Sequence, residues 1–438
     1  MQRSSARPLA IFFAEYFPPY MGSDRRIVDL ARNIRDWNVE FAVVPPLRIL
    51  GGRCERPLRT YFETHFSGTV SDDERGGLHG HYFRLPNWLL QVWRTLGIHA
   101  GYALTVPYLI RQAITYLRAR KPDVVVAAHP SYLCGLAGVV AARACGIPVV
   151  LDYPDAWTPL AIETAEISNR SVSASVLRAI EGFTARRATR IVSITGALRS
   201  YVRSLGARAP IDVVPNGADD AHFAASTPAC PRASIGCADG DEIVLYSGRL
   251  ELWSGVEDLA NNIAAICGAR ERARVVIAGD GMARARLEDE VRARGLRERV
   301  RFLGFQCFSK MPALLAAADV AIVPFPQTPT TAPCSPVKLF EYMLMRKAVV
   351  TTDLPGVRES VDERHVAFID GVADAKMARA VVRILEDTAY RASLEEQAYR
   401  HCKDSHTIER LAGRFSQSMH AACGRYSRSG AQRELVVK

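Results

Sequence analysis

The segment Ser335-Pro336-Val337-Lys338-Leu339-Phe340-Glu341 has residue types and a spacing that suit anion binding. A serine followed by a proline predicts the start of a helix, because serine caps free amides and proline fits the first turn. The free amides and the positive end of the helix dipole attract negative charge, and Lys338 adds a cation there. Glu341, one turn further on, can accept hydrogen bonds from ribose hydroxyls. The segment therefore predicts a nucleoside diphosphate site; the alternative is an ordinary capped helix with Lys338 and Glu341 as a surface ion pair.

Three more loops place glycines and polar side chains directly after segments that are typical of strands. These loops contain Gly248-Arg249, followed by the predicted start of a helix at Ser254-Gly255, then Gly279-Asp280-Gly281, and Gly304-Phe305. A cation at a strand end that faces a helix start suits a departing pyrophosphate. Each glycine turn alone is a weak indication, but ligands of parallel sheets bind beyond the carboxyl ends of the strands. Four such loops in order predict one shared site.

The chain alternates short β-branched runs with amphipathic segments, a pattern typical of parallel sheets covered by helices. The strands predicted in the first half are 10–14, 39–44, 123–128, 148–151, 190–194 and 211–214. Those predicted in the second half are 242–247, 274–278, 300–303, 319–323, 348–351 and 366–369. With 438 residues the chain exceeds the usual size of a single core, so we expect two domains with a cleft between them.

The composition along the chain suggests where the domains begin and end. We expect an N-terminal domain over residues 1–217 and a C-terminal domain over residues 241–400. Residues 218–240 are rich in Ala, Pro, Ser and Gly and predict a linker. Residues 45–87 predict an irregular insertion, and residues 401–438 predict a C-terminal helix followed by a disordered tail.

Composition and charge limit the class of protein. Hydrophobic residues make up 48% of the chain and charged residues 23%, as in an ordinary globular protein, with a formal net charge of +10. A basic run interleaved with aromatics is absent, so nucleic acid is not an expected partner. The ten cysteines include no Cys-x-x-Cys pair, which favours a reducing cytosol and argues against a metal site. The apolar stretches suit neither a signal peptide nor a membrane span, so we expect a cytoplasmic protein.

Together these segments resemble the family 4 glycosyltransferases, which have the GT-B architecture of two facing Rossmann-like domains. The resemblance covers nearly the whole chain: in the first half it rests on residues 15–23, 151–157 and 212–219, and in the second half on the four loops above. The Pro215-Asn216-Gly217 stretch and residues 338–343 are its most specific parts. It implies transfer of a hexose-type sugar from a nucleotide sugar with retention of configuration, in polysaccharide biosynthesis, and without a metal or other cofactor.

Matched position by position, the resemblance implies roles for the residues that bind the donor. Gly22 and Ser23 would bring the backbone close to the phosphates and the acceptor. The backbone at Phe305 would contact the base, and the amides of Leu339 and Phe340 would contact the phosphates. Glu341 would bind the ribose. The full donor set is Gly22, Ser23, Ser254, Gly279, Asp280, Phe305, Lys338, Leu339, Phe340 and Glu341.

The resemblance also implies three catalytic residues, Arg249, His129 and Asp155. Arg249 would hold the diphosphate and stabilise its charge as it leaves. His129 and Asp155 follow strands of the first domain and would face the transferred sugar and the acceptor. The alternatives are a hydrogen-bonded structural histidine and an Asx-type turn at the aspartate.

The sequence departs from the family pattern at three positions. Ser23 stands where the family usually has glycine, and Ser254 stands where it usually has lysine. Pro333 stands where it often has an acidic residue, eight positions before Glu341. We hypothesise that Lys338 compensates for the lysine that is missing at Ser254.

The resemblance leaves the substrates and two other functions open. A UDP-sugar is the first expectation and a GDP-sugar the second, with a glycan or a lipid-linked molecule as acceptor. Residues 88–120 carry tryptophans and arginines suited to peripheral contact with an anionic membrane, although core packing is the commoner role of such a helix. The other candidate functions are a non-catalytic nucleotide- or glycan-binding protein of the same fold and, less favoured, a nucleotide-sugar epimerase.

Overall fold

Two β-sheets, one in each half of the chain, form the frame of the protein, and all their strands but one are parallel. The structure is a computed structural model that describes residues 7–17, 22–47, 62, 65–66, 72–75, 77–128, 132–163, 168–256 and 258–424. At 22–24, 75, 94, 97–99 and 252 it describes the backbone alone. The expected α/β fold with two facing Rossmann-like domains is confirmed.

The first sheet belongs to the N-terminal domain. Its strands are β1 (Leu9–Ala14), β2 (Asn38–Val43), β3 (Asp72–Arg75), β4 (Leu78–Tyr82), β5 (Val124–Ala128), β6 (Val149–Tyr153), β7 (Arg190–Ser193) and β8 (Ile211–Val213). They lie in the order β3-β4-β2-β1-β5-β6-β7-β8, and β3 alone runs antiparallel to its neighbour. The helices described here are α1 (Gly22–Asn33), α2 (Asn87–Arg120), α3 (Tyr132–Ala144), α4 (Trp157–Glu163), α5 (Val172–Arg187) and α6 (Gly196–Ser204). Every residue of β5 is buried, as is usual for a parallel strand with both faces covered.

The second sheet belongs to the C-terminal domain. Its strands are β9 (Glu242–Ser247), β10 (Ala273–Ala278), β11 (Val300–Gly304), β12 (Val320–Val323), β13 (Ala348–Thr352) and β14 (Ala367–Ile369). They are all parallel and lie in the order β11-β10-β9-β12-β13-β14. The helices described here are α7 (Leu259–Ala269), α8 (Arg284–Ala293), α9 (Met311–Ala317), α10 (Val337–Leu344), α11 (Pro355–Arg358), α12 (Lys376–Glu386) and α13 (Thr388–Ser405).

The twelve strands predicted from the sequence are all present, but the prediction of an irregular insertion over residues 45–87 is wrong for part of that range. Residues 72–75 and 78–82 form β3 and β4, and β4 pairs with β2 to extend the first sheet. The two strands are Asp-Asp-Glu-Arg and Leu-His-Gly-His-Tyr, whose polar residues suit the edge of a sheet. Residues 48–61 of the range lie outside the described part of the chain.

The last of the described helices, α14 (Ile408–Ala422), packs on the N-terminal domain although it follows the C-terminal one. Its Leu411, Phe415 and Met419 are buried in the core of the first sheet, and the Trp37 indole donates to Ser416 Oγ at 3.1 Å. The expected C-terminal helix is therefore present. The expected tail lies beyond it, and residues 425–438 are outside the described range.

The chain crosses between the domains twice at the same place. Ala218, on the outward crossing, forms a parallel bridge with Thr407, on the return crossing. The predicted linker over residues 218–240 is not a free connection, because Phe223 and Ile235 are buried in the core of the C-terminal domain. No helix in the described part of the chain is long and apolar enough to cross a membrane.

Candidate functional site

Helix α10 begins at Val337, one residue later than the sequence predicted. Its N-cap is Pro336, without a side-chain cap, so the expected cap by Ser335 is wrong. Ser335 is 3% exposed, and its hydroxyl has no hydrogen-bond partner among the described residues. Its carbonyl instead accepts a hydrogen bond of 2.6 Å from the Asn216 side-chain amide. The N-terminal domain therefore holds the residue that precedes this helix.

The first turn of α10 exposes little side-chain surface. Leu339 and Phe340 are both fully buried, so only their backbone amides could reach a ligand. The Leu339 amide donates to the Pro336 carbonyl at 3.1 Å. The proposed contacts of these two amides with phosphate stay predictions.

Lys338 turns from α10 toward the end of β9. Its Nζ lies 4.5 Å from the centroid of the Tyr246 ring and 5.5 Å from that of Phe325. A Cβ built at Gly248 would lie 2.2 Å from this Nζ, so the ammonium group sits directly beside the glycine. Burial lowers the pKa of Lys338 to about 8, against the opposing effect of Glu341. The alternative of an ordinary surface ion pair between Lys338 and Glu341 is therefore wrong.

Arg249 follows Gly248 and brings a second cation to the same strand end. Its Nε donates to Glu251 Oε1 at 3.1 Å, and its side chain is 41% exposed. The Tyr246 hydroxyl donates to the Arg249 carbonyl at 2.6 Å, which fixes the backbone here. The carboxyl end of β9 thus carries Arg249 in the chain and the Lys338 ammonium group beside Gly248, and cations of this kind suit a bound diphosphate.

The other residues predicted to bind the nucleotide sugar have different contacts. Ser254 is 1% exposed in a short turn, and its hydroxyl donates to the Glu251 carbonyl at 2.6 Å, so it is already used inside the protein. The helix expected at Ser254 begins at Leu259. Asp280 pairs with Arg284 at 3.1 Å, while Phe305 projects from the end of β11 with 73% of its surface exposed.

Glu341 faces a small cavity between the domains. The cavity is lined by Arg25, Arg26, Asp29, Asn216, Gly217, Ala218, Asp219, Phe223, Phe308, Val337, Glu341 and Ile408. Burial raises the pKa of Glu341 to about 7, while the charges of Arg25 and Lys338 act in the opposite direction. A hydroxyl-rich ligand entering here would meet a carboxyl group poised between its two protonation states.

The N-terminal domain supplies the opposite wall of the cleft. Gly22 begins α1, and the side chain of Ser23 is not among those described. Burial raises the pKa of Asp155 to about 7; Arg26 opposes this shift and Asp152 adds to it. His129 lies outside the described residues. The roles given to Gly22, Ser23, Asp155 and His129 stay predictions.

Sequence reasoning missed Arg25, Arg26 and Phe308, which line the cavity between the two walls. Arg26 is 5% exposed and donates to the carbonyls of Val214 and Pro215, both at 2.9 Å, and to Asn216 Oδ1 at 3.0 Å. The spacing of apolar residues along α1 could have identified Arg26 from the sequence. Arg26 is spaced four and eight residues from Leu30 and Ile34 on the buried face of α1, where a guanidinium needs partners.

Two family models match the chain, one to each domain. The "Glycosyl transferase 4-like domain" matches residues 21–217, and "Glycosyl transferases group 1" matches residues 241–387. The chain belongs to the family 4-like glycosyltransferases. The expected resemblance is thereby confirmed, and both walls of the cleft lie within the matched residues.

Curated relatives of this family 4-like glycosyltransferase include two enzymes from Streptomyces kanamyceticus. Alpha-D-kanosaminyltransferase is 31% identical over 161 residues, 36% of this chain and 40% of the relative. 2-Deoxystreptamine glucosyltransferase is 26% identical over 260 residues, 58% of this chain and 65% of the relative. The chain thus spans less than two thirds of the length of either relative.

Solved structures share the fold of this family 4-like glycosyltransferase at low sequence identity. Sucrose-phosphate synthase from Thermosynechococcus elongatus superimposes with a TM-score of 0.74 at 17% identity, covering 96% of this chain and 100% of that one. Anabaena HepE in complex with UDP and glucose gives a TM-score of 0.69 at 19% identity, covering 94% and 100%. These similarities establish the GT-B fold over nearly the whole chain.

Proposed function

We propose that the protein transfers a hexose from a nucleotide sugar to a glycan or a lipid-linked acceptor with retention of configuration. The observation that carries this proposal is the position of the Lys338 ammonium group, which reaches from the first turn of α10 to Gly248, the residue before Arg249. Two cations and a helix N-terminus match the charge of a diphosphate. The family membership and the glycosyltransferase activities named for the relatives support the same reaction.

The proposed chemistry breaks the bond between the anomeric carbon and the diphosphate oxygen. The acceptor oxygen forms the new bond to that carbon on the same face, and its proton passes to an oxygen of the departing diphosphate. Arg249 and Lys338 stabilise the charge that develops on the leaving group, and closure of the cleft excludes water. Asp155 on the opposite wall would accept hydrogen bonds from sugar hydroxyls.

UDP is the first choice for the nucleotide and GDP the second. HepE, which shares the fold, has been solved with UDP and with UDP-glucose, which supports UDP without deciding the matter. Glu341 would bind the ribose of either nucleotide. We propose a cytoplasmic protein that requires no resident cofactor.

Peripheral contact with an anionic membrane stays a second-rank proposal. Residues 87–120 form the expected helix, α2, and its Leu89 and Trp93 are buried in the core. Trp88, Leu96 and Leu104 of the same helix are 53%, 68% and 47% exposed. The helix therefore combines core packing with exposed apolar residues, and only the exposed residues favour a membrane.

A thermal-shift screen of the full chain against UDP-, GDP- and dTDP-sugars tests the function. A ligand at about 100 times its Kd should raise the free energy of unfolding by about 2.7 kcal/mol. Release of free nucleotide from the donor that binds would then show transfer or hydrolysis. A nucleotide sugar that binds without release favours the non-catalytic alternative, and interconversion of donors without acceptor favours an epimerase. No shift with any donor would refute the proposed site.

Two substitutions test the cations. We expect Arg249→Ala to lower turnover about 100-fold, as loss of one preorganised donor to a developing charge commonly does. We expect Lys338→Ala to weaken donor binding, since Lys338 would replace the lysine missing at Ser254. Arg292→Ala is the matched control, because Arg292 is 65% exposed and pairs with Asp289 away from the cleft. Near-normal turnover by Arg249→Ala, or unchanged donor affinity in Lys338→Ala, would remove the corresponding assignment.

A further inference from the structure

Arg25 of α1 reaches across the domain boundary to Phe308. Its Cζ lies 3.0 Å from the centroid of the Phe308 ring. The His222 imidazole stacks on the same ring, with centroids 4.0 Å apart and planes 10° apart. A cation placed over an aromatic face is attracted by the ring electrons, and more strongly where water is partly excluded. The aromatic ring of Phe308, a residue of the C-terminal domain, is therefore held by a cation from the N-terminal domain.

Phe308 lies in the loop that begins where β11 ends. The exposed Phe305 belongs to the same loop, three residues earlier, and is the residue proposed to contact the base of the donor. Phe308 also begins a short turn, Phe308–Lys310, and the His222 ring contacts the Phe308 carbonyl at 3.1 Å. The stack on Phe308 thus fixes one end of the proposed base-binding loop.

Arg25 also lines the cavity into which Glu341 faces. The described charged groups on that cavity are Arg25, Arg26 and Asp29 from α1, Asp219 from the segment that joins the domains, and Glu341 itself. Lys338 adds a charge from the same helix as Glu341. Arg26 is committed to the carbonyls before Asn216, and Arg25 is held by Asp29 at 3.1 Å. Arg25 is the cation of the opposing domain whose charge acts on Glu341, and it lowers the pKa of that carboxyl.

We infer that Arg25 is a positioning residue for the nucleoside end of the donor, fixing the base-binding loop through Phe308 and placing a compensating charge opposite Glu341. The inference rests on the proposed function, because it takes Phe305 and Glu341 as the contacts of the base and the ribose. It adds that the nucleoside site, formed by the C-terminal domain, is complete only when the N-terminal domain closes on it. The ligand class is a nucleoside diphosphate.

The test is calorimetric titration of the full chain with UDP, and with GDP, at pH 6.5, 7.5 and 8.5. The variants are Arg25→Met, Arg25→Lys and Phe308→Leu. Arg32→Met is the matched control, because Arg32 lies on the same helix and also pairs with Asp29, at 3.7 Å, but does not line the cavity. Affinities are compared as ratios to the unchanged protein at each pH, so that titration of Lys338 and of the nucleotide cancels. Circular dichroism verifies that each variant is folded.

We expect Arg25→Met to weaken nucleotide binding about tenfold at pH 6.5 and only about threefold at pH 8.5, because Glu341 without its counter-charge ionises at higher pH. Arg25→Lys should show no such pH dependence, since it keeps the charge. Phe308→Leu should weaken binding by a similar factor at all three pH values, since it removes only the stack. Arg32→Met should bind like the unchanged protein.

The outcomes separate the inference from the function on which it rests. Binding of UDP or GDP by the unchanged protein, with equal pH dependence in Arg25→Met and Arg25→Lys, would overturn the role of the Arg25 charge. An Arg32→Met variant as weak as Arg25→Met would show a general effect of surface charge and would also overturn it. If Arg25→Met does not fold, normal affinity in both Arg25→Lys and Phe308→Leu refutes the inference. Failure of the unchanged protein to bind either nucleotide would instead refute the proposed donor site.

Discussion

Two carboxyl groups on opposite walls of the cleft are held in environments that disfavour their charge. Burial raises the pKa of Glu341 and of Asp155 to about 7 in each case. Such groups weaken the folded state when they are ionised, because unfolding returns them to water. Natural proteins keep destabilising residues of this kind where function needs them. The raised pKa values therefore support a role for both residues in binding.

Glu341→Gln and Asp155→Asn should stabilise the protein in a pH-dependent way. A carboxyl group whose pKa is raised in the folded state makes the protein less stable as the pH rises. The loss begins near the ordinary carboxyl pKa of about 4 and is complete above the folded-state pKa of about 7. At pH 8 each variant should therefore have a free energy of unfolding about 1 kcal/mol higher than that of the unchanged protein, and should unfold at a higher temperature. At pH 5 the gain should be small. Scanning calorimetry at the two pH values measures this.

Asp362→Asn is the control for these two variants. Hydrogen bonds from Arg364 lower the pKa of Asp362 to about 2, so its charge stabilises the fold above that pH. This variant should lose stability at pH 8, the opposite sign to Glu341→Gln. If Glu341→Gln changed the free energy of unfolding equally at pH 5 and pH 8, burial of the Glu341 charge would not be the cause of that change.

At the scale of single residues, the sequence indicated the types of the site residues better than their partners. Lys338 and Glu341 were predicted as candidates on one helix, and the structure places Glu341 on the cavity between the domains and Lys338 beside the end of β9. Their partners come from distant segments: Tyr246 beneath Lys338 and Arg25 beside Glu341. Ser335 was predicted as a cap from local rules, but its carbonyl is bound by Asn216, a contact between domains that local rules do not include.

The loops after β9 and β10 explain why glycines recur at the site. Gly248 has a φ of 141°, an angle that residues with a side chain rarely adopt. A Cβ built at Gly279 would lie 1.8 Å from the Gly248 carbonyl oxygen. The two loops therefore touch through their backbones, with no room for a side chain. This contact fixes the backbone that leads into Arg249.

Gly248→Ala should damage both folding and donor binding. The new methyl group would be strained by the backbone and would displace Lys338, so we expect a loss of about 1 to 3 kcal/mol in unfolding free energy. Gly268→Ala is the matched control, because Gly268 lies in α7 with nothing within 4 Å of a built Cβ. That control should gain about 0.5 to 1 kcal/mol from helix propensity. Urea unfolding measures both, and equal stability of the two variants would contradict the steric argument.

Elements were predictable where their own residues carried the signal. The β-branched runs identified twelve strands, most clearly β5 and β13, which are buried along their whole length, because parallel strands covered on both faces are apolar throughout. β3 was missed because Asp72–Arg75 is entirely polar and lies at the edge of the sheet, and β4 was missed because two histidines and a glycine interrupt its short apolar pattern. The position of α14 on the first domain could not be foreseen, since its apolar face fits either core equally well in sequence terms.

Across the whole molecule, a second set of contacts joins the domains at the start of α6. The Glu359 carboxylate accepts hydrogen bonds from the Gly196 and Ala197 amides, the latter at 2.8 Å, and so caps α6 from the other domain. The Thr195 hydroxyl donates to the Pro333 carbonyl at 2.9 Å. A carboxylate at a helix N-terminus is stabilised both by hydrogen bonds and by the helix dipole.

Glu359→Gln should loosen the domains without unfolding either. Loss of the charged cap should remove about 1 kcal/mol from the closed arrangement, and small-angle X-ray scattering should detect a larger radius of gyration. Glu363→Gln is the control, because Glu363 pairs with Arg358 within its own domain. An unchanged radius of gyration in Glu359→Gln, or an equal increase in Glu363→Gln, would show that this cap does not hold the cleft closed.

The return of α14 to the first sheet has a consequence for the order in which the protein matures. The N-terminal domain takes Leu411, Phe415 and Met419 into its core, so that core is incomplete until residues 408–422 leave the ribosome. The domain made first is therefore finished last, after the whole C-terminal domain has been synthesised. Domains that fold during synthesis ordinarily do so in chain order, starting from the N-terminus. Here the C-terminal domain is the first that can fold to completion, and the growing chain carries an open apolar face on its earlier half until the final helix covers it.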